Sequence, residues 1–127
     1  MKRTDYCLAA ISAVAAFAVY VLTLAPTVTA EDSGEFIAAS YLTGVAHPSG
    51  FPLWCLVTKP FFWIPVGDVA YRANLSSAFW ASVSVAGVFL LARRWGASWV
   101  GAWLAALALA YSQRFWYHST VTKDYTL

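Results

Sequence analysis

The stretch ANLSSAFWASVSVAGVFLLARR, residues 73–94, decides how the chain is read. Its first twenty residues carry no charge, and an arginine pair follows at once. Roughly 20 mostly apolar residues suffice to cross the hydrocarbon core of a bilayer as a helix. Two more stretches of that kind flank it, because residues 6–30 and 95–113 also hold no charged side chain. The chain as a whole is 61% hydrophobic and only 11% charged over 127 residues. Soluble domains average about a quarter charged, so composition places the chain among integral membrane proteins.

The basic pairs set an orientation. Lys2 and Arg3 precede the first apolar run, which Pro26 ends, and Arg93 and Arg94 follow the second. The positive-inside rule puts both pairs in the cytoplasm. Spans are expected at about 6–25, 73–92 and 97–112, with a tight turn through Gly96 between the last two and an outer loop over 27–71. The expectation is an all-α, multi-pass inner-membrane protein with three spans, its N-terminus cytoplasmic and its long loop on the outer face. One rival remains for the N-terminus. Lys2-Arg3, an apolar core and Val28-Thr29-Ala30 resemble a signal peptide with its cleavage site. The apolar run exceeds the roughly 7–15 residues of such leaders, which favours a retained span.

Within the loop, AEDSGEF (residues 30–36) gathers Glu31, Asp32 and Glu35, half of the six acidic residues in the chain. Ser33 to Leu42 reads as a short helix closed by Gly44. Asp32 is placed to cap it, with Glu35 at N3 completing a capping box. The functional reading rests on location. Asp32 and Glu35 share one helix face just outside the membrane. A carboxylate there can act as general base toward a hydroxyl or hold a divalent cation.

HPSGFP (residues 47–52) is a turn cluster. His47 could contact a phosphate or hydroxyl, or be an ordinary surface histidine. LWCLVTKPFFWIPVG (residues 53–67) is aromatic but broken by Pro60 and Pro65. It reads as an interfacial or re-entrant helix with Trp54, Phe61, Phe62 and Trp63 at headgroup depth. The outer-face cations Lys59, Arg72, Arg114 and Lys123 read as snorkelling anchors, and Lys59, Arg72 and Arg114 also as contacts for a lipid phosphate. Asn74-Leu75-Ser76 matches a glycosylation sequon but sits at the mouth of a span and is discounted. Cys7 and Cys55 have no metal-ligand spacing and read as small apolar fillers. The net charge of +2 forms no basic stripe, so nucleic acid is not an expected partner. Nothing resembles a P-loop, a Ser-His-Asp set or a zinc site.

LAPTVTAEDSGEFIAASYLTGVAHPSGFPLW, followed by VAYRANLSSAF, resembles the N-terminus of a bacterial family of multi-pass proteins long carried as a domain of unknown function. An animal protein O-mannosyltransferase is among its relatives. The family lies within the GT-C superfamily of membrane glycosyltransferases. Its usual form has Asp-Ser-Gly-Glu and then His-Pro-Pro-Gly-Tyr-Pro-Leu; here Ser49 replaces the second proline and Phe51 the tyrosine. A later Glu-Val-Tyr stretch is matched only by TKDYTL, where Lys123 takes the acidic position and Asp124 follows. The resemblance implies transfer of a sugar from a polyprenyl-phosphate-linked donor to an acceptor hydroxyl on the outer face. By position Asp32 would be the base, with Glu35 as its orienting partner or the alternative base. Membrane lipid and the lipid-linked donor are the implied partners, and metal use differs between branches of the superfamily. The chain then reads as the first part of a longer enzyme, expected to be inactive by itself. The competing reading is a non-catalytic membrane module, or a partner-binding protein, whose acidic motif only caps a helix.

Overall fold

The computed structural model describes residues 1–29, 32–48 and 50–123. These residues form helices and turns only. Two long helices make the frame. α1 spans Arg3–Leu22 and α4 spans Val69–Arg94. At about 1.5 Å rise per residue, α1 reaches about 30 Å and α4 further, enough to cross a bilayer. Much of their apolar surface has no protein cover. Val14 and Leu22 of α1 are 69% and 85% exposed, and Val83 and Leu91 of α4 are 44% and 46% exposed. A buried helix of a soluble protein would not leave such residues open, so we read both as membrane spans.

The frame packs through small residues. Ala9, Ala16 and Tyr20 of α1 meet Ala78, Ala81, Val85 and Phe89 of α4 in one core, which also takes Ala102, Ala106 and Ala110 of α5. In lipid there is no hydrophobic drive between helices, so association depends on close backbone approach, which alanine permits. Removing α1 as a leader would strip Tyr20 and the alanines from this core. Ala30, the residue before the suspected cut, lies outside the described residues.

The third expected span is short. α5 covers Trp99–Ala110, and at 12 residues it reaches only about 18 Å. Tyr111 and Ser112 break the helix, and α6 runs from Gln113 to Thr120. Tyr20 explains how the break is tolerated. Its hydroxyl donates to the Ala110 carbonyl at 2.9 Å, replacing a bond that a continuous helix would have supplied. α5 begins beside Asp5 and Arg93, and α6 ends where Ala25 N donates to Thr120 O. The broken pair therefore runs alongside α4 for much of its length.

At the end near α5's start, Arg93 ties the helices together. Arg93 Nε donates to Asp5 Oδ1 at 2.8 Å, and Trp99 Nε1 donates to the same oxygen at 3.1 Å. Arg93 is thus a structural tie among α1, α4 and α5, not a freely solvated charge. The turn through Gly96, whose φ is +90°, falls where expected, and Ser98 caps α5 by accepting from Gly101 N.

The opposite end carries the loop. α2 spans Ser33–Leu42, α3 spans Pro52–Thr58, and a 3₁₀ turn follows over Lys59–Trp63. The short helices expected in the loop are present, but their aromatics divide. Trp54 packs with Phe36 and Cys55, and Phe62 packs with Ile37 and Ala73, so both are buried, while Trp63 is open. Trp54 and Phe62 therefore build small cores of their own. Cys55 is a buried filler as expected, and burial pushes its thiol up. Cys7 instead lies exposed on α1.

α4 starts at a true cap. Asp68 Oδ1 accepts from Tyr71 N at 2.7 Å. Asp68→Ala should lower stability by about 1 kcal/mol and Asp68→Asn by much less. Thermal unfolding in detergent, followed by circular dichroism, would measure the difference.

Candidate functional site

The acidic motif opens α2 at the loop end. Asp32 occupies the N-cap position, but its side chain makes no capping hydrogen bond. Glu35 does not reach back to the cap either. Its Oε1 accepts from the backbone N–H of His47 at 2.6 Å, and its Oε2 lies 3.0 Å from His47 Nδ1. The capping box expected from the sequence is absent, and both carboxylates are turned to tertiary partners.

Glu35 and His47 form one unit. The His47 ring sits edge-on to Phe36 and Phe51, with centroids 5.6 and 5.5 Å apart. Gly50 N closes the turn on His47 O at 2.7 Å. Two non-glycine residues on either side of this turn, Thr43 and Phe51, have φ of +58° and +45°. Such strain persists only where the surroundings over-determine it. Here α2 ends on Thr43 instead of on Gly44, and the chain folds straight back so that His47 meets Glu35.

Asp32 faces a different element. Lys123 Nζ lies 3.6 Å from Asp32 Oδ2. The carboxylate is 55% exposed, whereas the lysine side chain is only 6% exposed. Val121, Thr122 and Lys123 are buried as a strap after α6. Trp54 Nε1 donates to the Lys123 carbonyl at 3.0 Å, and Thr122 Oγ1 donates to Asn74 Oδ1 at 2.6 Å. Asn74 in turn donates to the carbonyls of Ala25 and Thr27, at 2.8 and 3.2 Å. One buried amide thus joins the exit of α1, the start of α4 and the strap. Its burial is incompatible with a glycan on the folded chain.

The other candidate residues fall elsewhere. Arg72 spends its guanidinium on its own loop, donating to the carbonyls of Val66, Phe62 and Gly67. Lys59 donates to the Tyr41 carbonyl in the last turn of α2 and lies over the Tyr41 ring. Both act as staples of the loop. Arg114 is exposed at the start of α6, in a shallow groove with Gln113, Tyr117 and His118. Only Asp32, Glu35 and His47 of the candidate set share one corner of the fold. Glu31, Ser49 and Asp124 lie outside the described residues. Among the described residues no group of three or more His, Cys, Asp or Glu side chains could hold a metal ion.

The sequence presents Asn74 only within a discounted sequon and Lys123 as an anchor, with no mark of either residue's tertiary role. Asn74 had a signal, an uncharged polar residue at the mouth of a span, but its acceptors are backbone carbonyls with no sequence mark. Lys123 was visible only as a basic residue in an otherwise acidic position.

Comparison with known proteins identifies the family. Residues 32–127 match the model of the protein O-mannosyl-transferase TMEM260 N-terminal domain. A protein O-mannosyl-transferase TMEM260 of Mus musculus is 36% identical over 111 residues, covering 87% of this chain and 16% of that protein. A counterpart from Dictyostelium discoideum is 29% identical over 102 residues, covering 77% of this chain and 12% of that protein. The chain thus spans under a fifth of the length of either relative. No solved structure matches. The match begins at Asp32, runs through Glu35, His47, Asn74 and Lys123, and leaves the family in no doubt: the chain belongs to the protein O-mannosyl-transferase TMEM260 family, through its N-terminal domain.

Proposed function

We propose that the loop end is the acceptor side of a membrane mannosyltransferase of GT-C type. The donor is a polyprenyl-phosphate-linked mannose and the acceptor is a protein hydroxyl. In the relatives' names the reaction is protein O-mannosyl transfer. The basic pairs argue for an N-terminus in the cytoplasm, which would put the acidic motif on the outer face, where lipid-linked donor and water-soluble acceptor meet.

The observation that carries the reading is that neither carboxylate caps α2. A motif kept only to start a helix would be folded back on it. Asp32 is instead half open to solvent, and Glu35 is paired with His47. In the proposed step Asp32 takes the proton of the acceptor hydroxyl. The acceptor oxygen bonds to the anomeric carbon while the carbon–oxygen bond to the donor phosphate breaks, and the phosphate leaves with the electron pair. Glu35 orients His47, whose ring can hydrogen-bond the acceptor or donor. Any divalent cation would need a ligand besides Asp32, Glu35 and His47.

The test is mannose transfer in membranes from cells expressing the complete gene. Loss of transfer in Asp32→Asn, with the protein still folded and inserted, supports the reading. Undiminished transfer in both Asp32→Asn and Glu35→Gln would leave a non-catalytic motif as the better account.

A further inference from the structure

We propose that the end of the fold away from the loop seats an anionic glycerophospholipid. Its headgroup lies on Arg3 and Arg94, and one acyl chain lies in a groove beside α5. The proposal does not depend on the catalytic reading of the acidic motif. The groove runs between α1 and α5 and is lined by Leu8, Trp99, Val100, Trp103, Leu104 and Leu107. It is open and holds about 360 Å³. Val100 and Leu104 are largely exposed, so the described chain leaves it uncovered.

Two observations decide the occupant. The first is that the groove offers no small residue. Helices associate in lipid where small residues let their backbones approach. Ala102, Ala106 and Ala110 of α5 already pack in the core with α4. A further helix has a poor seat here, whereas a flexible acyl chain fits between bulky side chains. The second is charge. Lys2, Arg3, Arg93 and Arg94 share this end with one carboxylate, Asp5, because the other acidic residues lie at 31–35, 68 and 124. Asp5 is fully engaged. Its Oδ1 accepts from Arg93 Nε and Trp99 Nε1, and its Oδ2 accepts from Lys2 N at 2.7 Å. Arg3 and Arg94 are exposed and, among the described residues, have no carboxylate partner. They flank the Asp5–Arg93 pair in sequence, which brings them to one site. They are also the first residue of α1 and the last of α4, so they stand at headgroup depth when those helices span the bilayer. The groove starts at the same level, since Trp99 both lines it and bonds Asp5. A phosphodiester drawn to the two arginines therefore leaves an acyl chain at the groove's mouth. Trp95, 80% exposed, lies next to Arg94, where indole rings gather at a membrane interface.

The test uses the complete protein in phosphatidylcholine nanodiscs. Each preparation carries a trace of one probe, phosphatidylglycerol or phosphatidylcholine with a diazirine in one acyl chain. After photolysis, mass spectrometry locates the label. The phosphatidylglycerol probe should label the segment from Trp99 to Leu107 about tenfold more than the phosphatidylcholine probe, since each basic residue near a surface favours an anionic lipid by about fivefold. Arg3→Gln combined with Arg94→Gln should remove most of that preference, while Arg93 and its bond to Asp5 stay in place. Raising the salt should weaken the preference in the unaltered protein, a measurement that needs no variant to fold or insert. Equal labelling by the two probes means ordinary bulk lipid and overturns the proposal. Absence of label from both means that another part of the complete protein covers the groove, and overturns it too. So does a preference that survives both the double variant and the salt. Stronger labelling of this segment by a diazirine-bearing polyprenyl phosphate than by phosphatidylglycerol would give the groove to the sugar donor instead.

Discussion

Asp32→Asn should cut mannose transfer by about 100- to 10,000-fold, the usual range for loss of a positioned general base. The substitution is close to isosteric, and asparagine cannot take a proton at neutral pH. Because the Asp32 side chain does not cap α2, the change removes no capping bond. It does remove a carboxylate charge 3.6 Å from Lys123 Nζ, so a modest loss of stability should accompany the loss of rate. Glu35→Gln should behave differently. A glutamine carbonyl can still accept from His47 N, so the turn should hold while the His47 ring loses its charged partner. A smaller loss, of about tenfold, is expected for a residue that orients another. The comparison is informative in both directions. If Glu35→Gln is the inactive variant and Asp32→Asn retains transfer, the base is Glu35, and Asp32 serves only the strap. The measurement is initial-rate transfer to a fixed acceptor, normalised to folded protein by gel filtration in detergent.

What the sequence made legible was local. The long apolar runs become α1 and α4, the bounds of α2 at Ser33 and Leu42 are those the pattern suggests, and the turn through Gly96 lies between its expected neighbours. These features depend on periodicity, composition and glycine, which act within a few residues. The third apolar run forms a helix that ends close to where its pattern suggests, but at 12 residues it is shorter than a span requires. What breaks the helix at Tyr111 and Ser112 is made tolerable by Tyr20, from another helix. The alanines at 102, 106 and 110 did announce a packing face, by their spacing of four, but hydropathy hides that pattern. The candidate site was legible as a set of residues and not as an arrangement. Capping chemistry is a local rule, and it predicts a closed box for Asp32 and Glu35. The tertiary partners His47 and Lys123 override it, and no local rule could name them.

Asn74→Ala should be the most destabilising single change at the loop end, by about 2–4 kcal/mol. The amide donates to two carbonyls and accepts from one hydroxyl, and the residue is fully buried. Alanine leaves Ala25 O, Thr27 O and Thr122 Oγ1 without that partner together. Polar contacts between membrane helices average nearer 0.6 kcal/mol, because the unfolded chain in lipid finds other partners. Asn74 differs because two of its acceptors lie where the chain leaves α1 and turns into the loop. No regular element offers them a replacement. Thr122→Val is the control, since it removes only the strap's bond and should cost about 1 kcal/mol. Asn74→Asp should be worse than Asn74→Ala, because a carboxylate cannot donate to the two carbonyls and would bring a buried charge. The effect should also reach function. With the strap untethered at Thr122, Lys123 loses one of its fixings, and transfer should fall in Asn74→Ala more than stability alone explains at a temperature where the protein is still folded. Denaturant unfolding in detergent, followed by the fluorescence of the chain's tryptophans, Trp54 among them, gives the stability series. Equal losses for Asn74→Ala and Thr122→Val would mean that the α1 exit does not depend on Asn74, and that the amide serves the strap alone.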